Sequence, residues 1–221
     1  MVRDVFAREL RALEEELAGL AAEVGRAVER AVHALRAQDV ALAREVDEGD
    51  EAINQRRTAL EERCLALLAT QQPTAGDLRI LTAALLIATD LERMGDHAAG
   101  IARLAIRIGQ EPLIKPLIDI PRMAELAVGM LREATEAFLS RDAEAARRAA
   151  ARDDEVDALH DQIHRELFFL MIANPRTITQ ATYLMWASHG LERIADLVTN
   201  VCERVVFVVT GELEDLNRPR E

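Results

Sequence analysis

The sequence predicts an all-α protein built as two tandem pseudo-repeated three-helix bundles, with six long antiparallel helices in total. Composition, spacing and duplication lead to this prediction. Of the 221 residues, 50% are hydrophobic and 30% are charged, but only 3% are aromatic. A chain rich in Ala, Leu and Glu with so few aromatic residues is typical of packed helices. Its apolar residues recur every three or four positions, and its second half repeats the first.

Three helices are predicted in the first half. The first has a seam typical of bundles: Phe6, Leu10, Leu13, Leu17, Leu20, Val24, Ala27 and Ala31. Asp39 is a suitable N-cap for the second helix. This helix ends at "QQP", residues 71–73, because proline breaks a helix. The apolar stripe of this helix is Leu42, Val46, Ile53, Leu60, Cys64 and Leu67. The third helix should bury Leu78, Leu81, Leu85, Leu91, Ala98, Ala102, Ala105 and Ile108.

A proline-rich segment, "GQEPLIKPLIDIP", separates the two halves. We therefore predict a first bundle over 1–111, a connector over 112–121 and a second bundle over 122–221. Met123, Leu126, Met130, Leu131 and Phe138 indicate a fourth helix, and Val156, Ile163, Leu167 and Leu170 a fifth. The sixth begins after "NPR", near Thr177, and ends at Gly211.

Matching segments about one hundred residues apart indicate an internal duplication. "GDEAIN" at 49–54 matches "RDDEVD" at 152–157, and "LERMGD" at 91–96 matches "LERIAD" at 191–196. A single amphipathic helix cannot bury its apolar stripe alone, so three helices form the smallest self-consistent unit of each half.

Net charge and cysteine content narrow the possible functions. At −12, the chain should repel nucleic acid and anionic membrane surfaces, which are normally bound through basic patches. The two cysteines, Cys64 and Cys202, fall in apolar helical patterns and are expected to be buried and reduced. No signal segment or membrane-spanning run is recognisable, so we expect a cytoplasmic protein.

Pairs of polar residues four apart border the apolar stripes. Glu92 and Asp96 lie in the third helix, and Glu192 and Asp196 lie at the matching positions of the sixth. Residues at this spacing share one helix face. Asn200 and Glu203 continue the face of the sixth helix, the fifth helix carries Asp153 and Asp157, and the second carries Asp50 and Asn54.

Stacked carboxylates repel each other unless a positive charge lies between them. Arg93 and Arg193 directly follow the two glutamates, about 100° around the helix, so we expect neither to bridge the glutamate and the aspartate. Oxygen ligands of this kind favour Mg²⁺, Ca²⁺, Mn²⁺ or iron. The alternative is a solvated acidic helix face that binds no metal ion.

The two LER-x-x-D motifs, in "DLERMGDHAAGIA" and "GLERIADLVTNVCERVVFVVTGE", resemble those of the PhoU family of phosphate-regulatory proteins. The resemblance covers essentially the whole chain. It implies a non-catalytic cytoplasmic regulator, peripheral to the membrane through its partners only, that represses the phosphate-starvation response. Its implied partners are the phosphate-specific ABC transporter, through the ATPase subunit, and a sensor histidine kinase; a homodimer is also implied.

The resemblance also implies that acidic E(D)xxxD motifs hold metal ions, most often iron, although Mg, Mn, Ca or Zn is possible and some members are metal-free. Glu92 and Asp96 would belong to one site, and Glu192 and Asp196 to the other. The first half departs from the second: Gly100 and Arg103 stand where the second half has Asn200 and Glu203, and Asn54 stands for Asp157. We therefore predict tighter metal binding in the second half.

Two other functions fit parts of the pattern. A ferritin-like di-metal protein needs Glu-x-x-His motifs on two helices, but the nearest matches, Asp157–His160 and Asp161–His164, both lie on the fifth. His160 and His164 could bind zinc or simply border the seam, and His189 could join the acidic face or point outward. The second alternative is a metal-free helical adaptor, whose long first helix would pack on partner helices.

Overall fold

The computed structural model describes residues 2–217, with side chains from residue 5 onward. It contains six long helices, a short one and a 3₁₀ turn. Their bounds are α1 Val2–Ala37, α2 Val40–Gln71, α3 Ala75–Ile108, α4 Asp119–Ser140, α5 Ala143–Ala150, α6 Asp153–Ala173, the 3₁₀ turn Pro175–Thr177 and α7 Ile178–Thr210. Residues 2–217 contain no strand, so the all-α prediction is confirmed.

The duplication is visible at the turns that open the second helical segment of each half. Gln38 and Arg141 both adopt left-handed backbone conformations, with φ of 55° and 58°. The next residue in each case is an aspartate N-cap: Asp39 accepts a hydrogen bond from the Leu42 amide, and Asp142 accepts one from the Ala145 amide. The predicted cap at Asp39 is confirmed.

The two halves pack on one another. α1, α2 and α3 contact each other, as do α4, α6 and α7, while α3 packs along α7 and α1 along α4. Arg141 adds an ion pair to Glu14 across this interface. The buried apolar residues consequently form one core that extends through both halves.

Most of the predicted apolar stripes are buried, with some differences. Leu78 is 45% exposed because the buried layer of α3 starts one turn later, at Leu81. Ala27, Leu42, Leu85, Leu126 and Leu170 are only partly buried. Both cysteines are buried and free, as expected.

The sequence patterns did not reveal α5. Its buried residues are four alanines, Ala143, Ala146, Ala149 and Ala150, so it lacks a stripe of large apolar side chains. A break at Ala151–Arg152 separates it from α6, whereas α2 runs unbroken through the equivalent region. This break makes Asp153 and Asp154 first-turn residues of α6, where the helix dipole favours negative charge.

The proline-rich segment joins α3 to α4, and α4 begins at Asp119, so the last residues of the predicted connector are helical. Gly109 ends α3 with φ 60°. Among residues 2–217, none of the helices combines the length and the apolar character that crossing a membrane requires.

Candidate metal centre

Acidic side chains from two neighbouring helices meet in each half. The first cluster consists of Asp50 of α2 with Glu92 and Asp96 of α3, whose charges both act on Asp50. The second cluster consists of residues of α6 and α7 around one cavity: Asp153, Asp154, Asp157, Glu192 and Asp196. The structure therefore brings the acidic faces of α2 and α3 together in the first half, and those of α6 and α7 in the second.

A close approach of α2 to α3 builds the first cluster. A Cβ on Gly95 would lie 3.1 Å from two carbons of the Ile53 side chain and 3.2 Å from Asp50 Oδ1. A methyl group at this position would crowd Ile53 and Asp50, so glycine allows Asp50 to lie close to the helix that carries Glu92 and Asp96.

The environment of Asp50 favours its protonated form. Burial, followed by the charge of Asp96, raises the pKa of Asp50 to about 6, while Arg103 acts in the opposite direction. Its Oδ1 is buried without a hydrogen-bond partner, and its Oδ2 is 3.5 Å from the Asn54 amide nitrogen. Arg103 also forms a 2.7 Å ion pair with Asp47, so a cation already lies beside this cluster.

The second cluster is larger and more acidic. Its cavity has a volume of roughly 450 Å³ and is closed on other sides by Arg147, Ala150, Ala151, Leu216 and Asn217. Asp153 is only 8% exposed, and its Oδ1 has no hydrogen-bond partner. Burial, and then the charges of Asp157, Asp196 and Glu192, raise the pKa of Asp153 to about 7.

The pKa values of the carboxyl groups next to Asp153 are raised as well. Burial, and then the charge of Asp196, raise the pKa of both Asp157 and Glu192. Glu192 Oε2 is buried and lacks a partner with hydrogen-bond geometry, although His189 Nδ1 is 3.2 Å away. Repelling carboxylates with unpartnered buried oxygens are therefore concentrated between α6 and α7.

Neither Arg93 nor Arg193 bridges the glutamate and the aspartate of its motif, but Arg193 does pair with the aspartate. Arg193 Nη1 lies 2.6 Å from Asp196 Oδ2, three residues along the same helix, and Asn217 donates a 3.1 Å hydrogen bond to Asp196 Oδ1. Arg193 does not bridge Asp196 to Glu192, but it neutralises part of the second cluster. The side chain reaches Asp196 because residues at i and i+3 are neighbours on a helix. Arg93 instead lies 3.6 Å from Asp90.

Asn200 and Glu203 do not line the cavity of the second cluster. Glu203 Oε1 accepts a 3.0 Å hydrogen bond from the Leu216 amide, and Asn200 is hydrogen-bonded to Asp90 of α3. Sequence spacing did not indicate Asp90, which is 9% exposed and whose pKa is raised to about 6 by burial. Asp154 was not predicted either, although "RDDEVD" contains it.

The donor chemistry of both clusters fits a hard divalent cation. Buried carboxylate oxygens without partners are the ligands that Mg²⁺, Mn²⁺ and Ca²⁺ prefer, and a cation would relieve the repulsion that raises these pKa values. As the side chains stand, no three His, Cys, Asp or Glu residues within the described part of the chain enclose a metal ion. Metal binding would therefore require the carboxylates to turn toward one another.

Both halves of the chain match one known protein family. The family model described as "PhoU domain" matches residues 17–105 and 120–205, one copy in each half. A "phosphate-specific transport system accessory protein PhoU homolog" from Aquifex aeolicus is 37% identical over 206 residues, covering 93% of each chain. The homologue from Streptococcus pneumoniae is 36% identical over 216 residues, covering 98% of this chain and 100% of the relative.

Two solved structures share the fold. The phosphate transport system regulatory protein PhoU from Streptococcus pneumoniae superposes with a TM-score of 0.89 and 34% identity, covering 95% of this chain and 99% of that one. PhoU from Pseudomonas aeruginosa gives the same TM-score and identity, covering 94% of this chain and 100% of that one.

Proposed function

Because the chain belongs to the PhoU family, we propose that it is a cytoplasmic accessory protein of phosphate transport that represses the phosphate-starvation response. It would bind the ATPase subunit of the phosphate ABC transporter and the cytoplasmic part of a sensor histidine kinase. The observation that carries this proposal is the match in both halves, at more than one third identity, to proteins named as transport accessory proteins. These names describe accessory proteins, which supports a non-catalytic role.

The partner interaction is tested directly by mixing the purified chain with the transporter ATPase subunit and, separately, with the kinase's cytoplasmic domain. Retention of either partner on the immobilised chain supports the regulatory role. As a control, the ATPase subunit of an unrelated importer should pass through. Failure to retain both phosphate-system partners under conditions that keep them folded would contradict the proposal.

We further propose that the acidic clusters bind divalent metal ions, with the second cluster binding more tightly. Asp153, Asp157 and Glu192 would hold the ion in the second half, and Asp50, Glu92 and Asp96 in the first. A bound cation would neutralise the carboxylates and fasten α6 to α7. The second cluster has five carboxylates with Arg147 and Arg193 beside them, and the first has three with Arg103 beside them. The excess of negative charge, and with it the attraction for a cation, should therefore be larger in the second cluster.

Metal content after purification without chelator, followed by Mn²⁺ titration, tests this preference. Changing Glu192 and Asp196 to Ala should lower bound metal more than the same changes at Glu92 and Asp96. The two double variants are matched controls for each other. Each removes one glutamate and one aspartate, and the two pairs occupy equivalent positions of the duplication. Equal or reversed losses would contradict the predicted preference.

A metal-free adaptor is the second candidate. In its favour, Arg193 and Asn217 already occupy both oxygens of Asp196, and no ready-made metal ligand set stands within the described residues. An absence of Mn²⁺ binding together with retention of the ATPase subunit would select this candidate. Light scattering on the intact chain tests the proposed homodimer.

A further inference from the structure

Two histidines on α6 face each other one turn apart, next to α7. The ring centres of His160 and His164 are 4.0 Å apart, with their planes inclined at 49°. Both residues are half-buried. Histidines four residues apart on a helix lie on the same face, so both rings can reach one ligand.

The ring nitrogens of this pair are unusually short of partners. Nε2 of both His160 and His164 is buried without a hydrogen bond. The backbone carbonyl of Met185 on α7 is a hydrogen-bond acceptor for the His164 side chain. A carbonyl that accepts from one ring nitrogen while the other nitrogen faces the metal is the arrangement that orients metal-binding histidines in proteins.

The protonation state of the pair suits a ligand role. Burial lowers the pKa of both His160 and His164, and the charge of His189 lowers that of His160 further, while Asp161 acts in the opposite direction. Burial therefore favours the neutral form of both rings. Neutral imidazole is the form that coordinates metal ions.

α7 brings a third imidazole close to the pair. The ring centre of His189 is 6.2 Å from that of His160, and its side chain is 58% exposed, so it can rotate. A tetrahedral metal ion 2.0–2.1 Å from each of two ring nitrogens separates the ring centres by about 5 Å. The distance between the ring centres of His160 and His164, 4.0 Å, is shorter than this separation. The distance between those of His160 and His189, 6.2 Å, is longer.

We propose that His160 and His164 form a binding site for a borderline divalent transition-metal ion such as Zn²⁺, and that His189 closes the site when its side chain rotates. Imidazole nitrogen favours Zn²⁺, Ni²⁺ and Cu²⁺ over Mg²⁺ and Mn²⁺, whereas the all-carboxylate clusters suit Mg²⁺, Mn²⁺ and Ca²⁺. The ligands of the proposed site are imidazoles rather than carboxylates, although the site adjoins the second cluster: His189 Nδ1 lies 3.2 Å from Glu192 Oε2, and Asp157 precedes His160 by three residues on α6.

Zn²⁺ titration against a chromophoric chelator at pH 7.5, with Mg²⁺ in excess to occupy carboxylate sites, tests the proposal. The double variant His160→Gln/His164→Gln should bind Zn²⁺ at least tenfold more weakly than the wild-type chain. His33→Gln removes an exposed histidine of α1 and should change nothing. His189→Gln should weaken binding less than the double variant, because it supplies only the closing ligand.

Two results would overturn the proposal. One is Zn²⁺ binding by the double histidine variant with wild-type affinity. The other is a loss in Asp153→Asn/Asp157→Asn as large as in the double histidine variant, which would move the ion to the acidic cluster. Nitrogen NMR of the wild-type side chains needs no variant: Zn²⁺ should shift the Nε2 resonances of His160 and His164, and unchanged resonances at saturation would also refute the site.

Discussion

Asp153 offers the sharpest test of the electrostatics of the second cluster. Replacing Asp153 with Asn keeps the shape of the side chain and removes its charge. We expect the variant to be more stable than the wild-type chain at pH 8 when chelator keeps metal away. We also expect it to lose most of the stabilisation that Mn²⁺ gives the wild-type chain, because Asp153 is the most buried member of the cluster.

The difference in stability between Asp153→Asn and the wild-type chain follows from the raised pKa of Asp153. Burial and neighbouring carboxylates raise the pKa of Asp153 to about 7, against 3.8 for the ordinary carboxyl. The folded state therefore retains a proton that the unfolded state releases, and the associated stability is complete below pH 4 and lost as the pH rises to 7. At about 1.4 kcal/mol per pKa unit, ionised Asp153 destabilises the fold by about 4 kcal/mol at pH 8. Relaxation of the cavity would reduce this to about 2–4 kcal/mol.

Urea unfolding with EDTA between pH 4 and 8.5 measures the difference between the two chains. The free-energy difference should rise from near zero at pH 4 to its full value above pH 7. Asp161→Asn is the control, because Asp161 is an exposed carboxylate on the same helix; it should give a small difference that varies little with pH. A pH-independent difference for Asp153→Asn, or a variant that is less stable at pH 8, would refute the reasoning.

Three further predictions concern packing, charge and thiols. Gly95→Ala should destabilise the chain by about 1–3 kcal/mol in urea unfolding, because the added methyl group would crowd α2. The control is Gly49→Ala, whose methyl group would meet no atom within 4 Å, and it should stabilise the chain by about 0.5–1 kcal/mol. Equal effects of the two substitutions would contradict the packing argument. Arg193→Gln should increase Mn²⁺ affinity in calorimetry by freeing its aspartate partner; weaker binding would show that the guanidinium supports the site. Burial raises the pKa of Cys64 to about 11 and that of Cys202 to about 12, so a thiol-disulfide reagent at pH 8 should modify neither until urea unfolds the chain, and rapid labelling of the native protein would contradict this.

The two halves have kept the same framework but diverged in charge. In the first half, α2 is continuous and Asp50 lies in its middle, next to Asn54 and within reach of Arg103. In the second, the helix breaks before Asp153, and two aspartates occupy the first turn of α6. Duplication thus preserved a pair of acidic helix faces, while local changes made the second face more acidic than the first.

Sequence alone determined the six long helices, the duplication and the shared face of each acidic pair. The apolar periodicity of a helix can be read from its own residues. The same holds for the N-cap at Asp39 and the C-cap at Gly211, because capping depends only on the local backbone. The spacing of Glu192 and Asp196 fixes their common face in the same way.

Only the tertiary structure decided how neighbouring helices are rotated and which side chains meet. It turned Asn200 toward α3, paired Arg193 with Asp196 and placed His189 beside His160. It also folded the alanine-rich α5, whose small side chains acquire a buried face only when α4 and α7 cover them. Spacing within one helix gives the direction of a side chain about its own axis, but contacts between helices depend on rotation, crossing and rotamer, which packing sets.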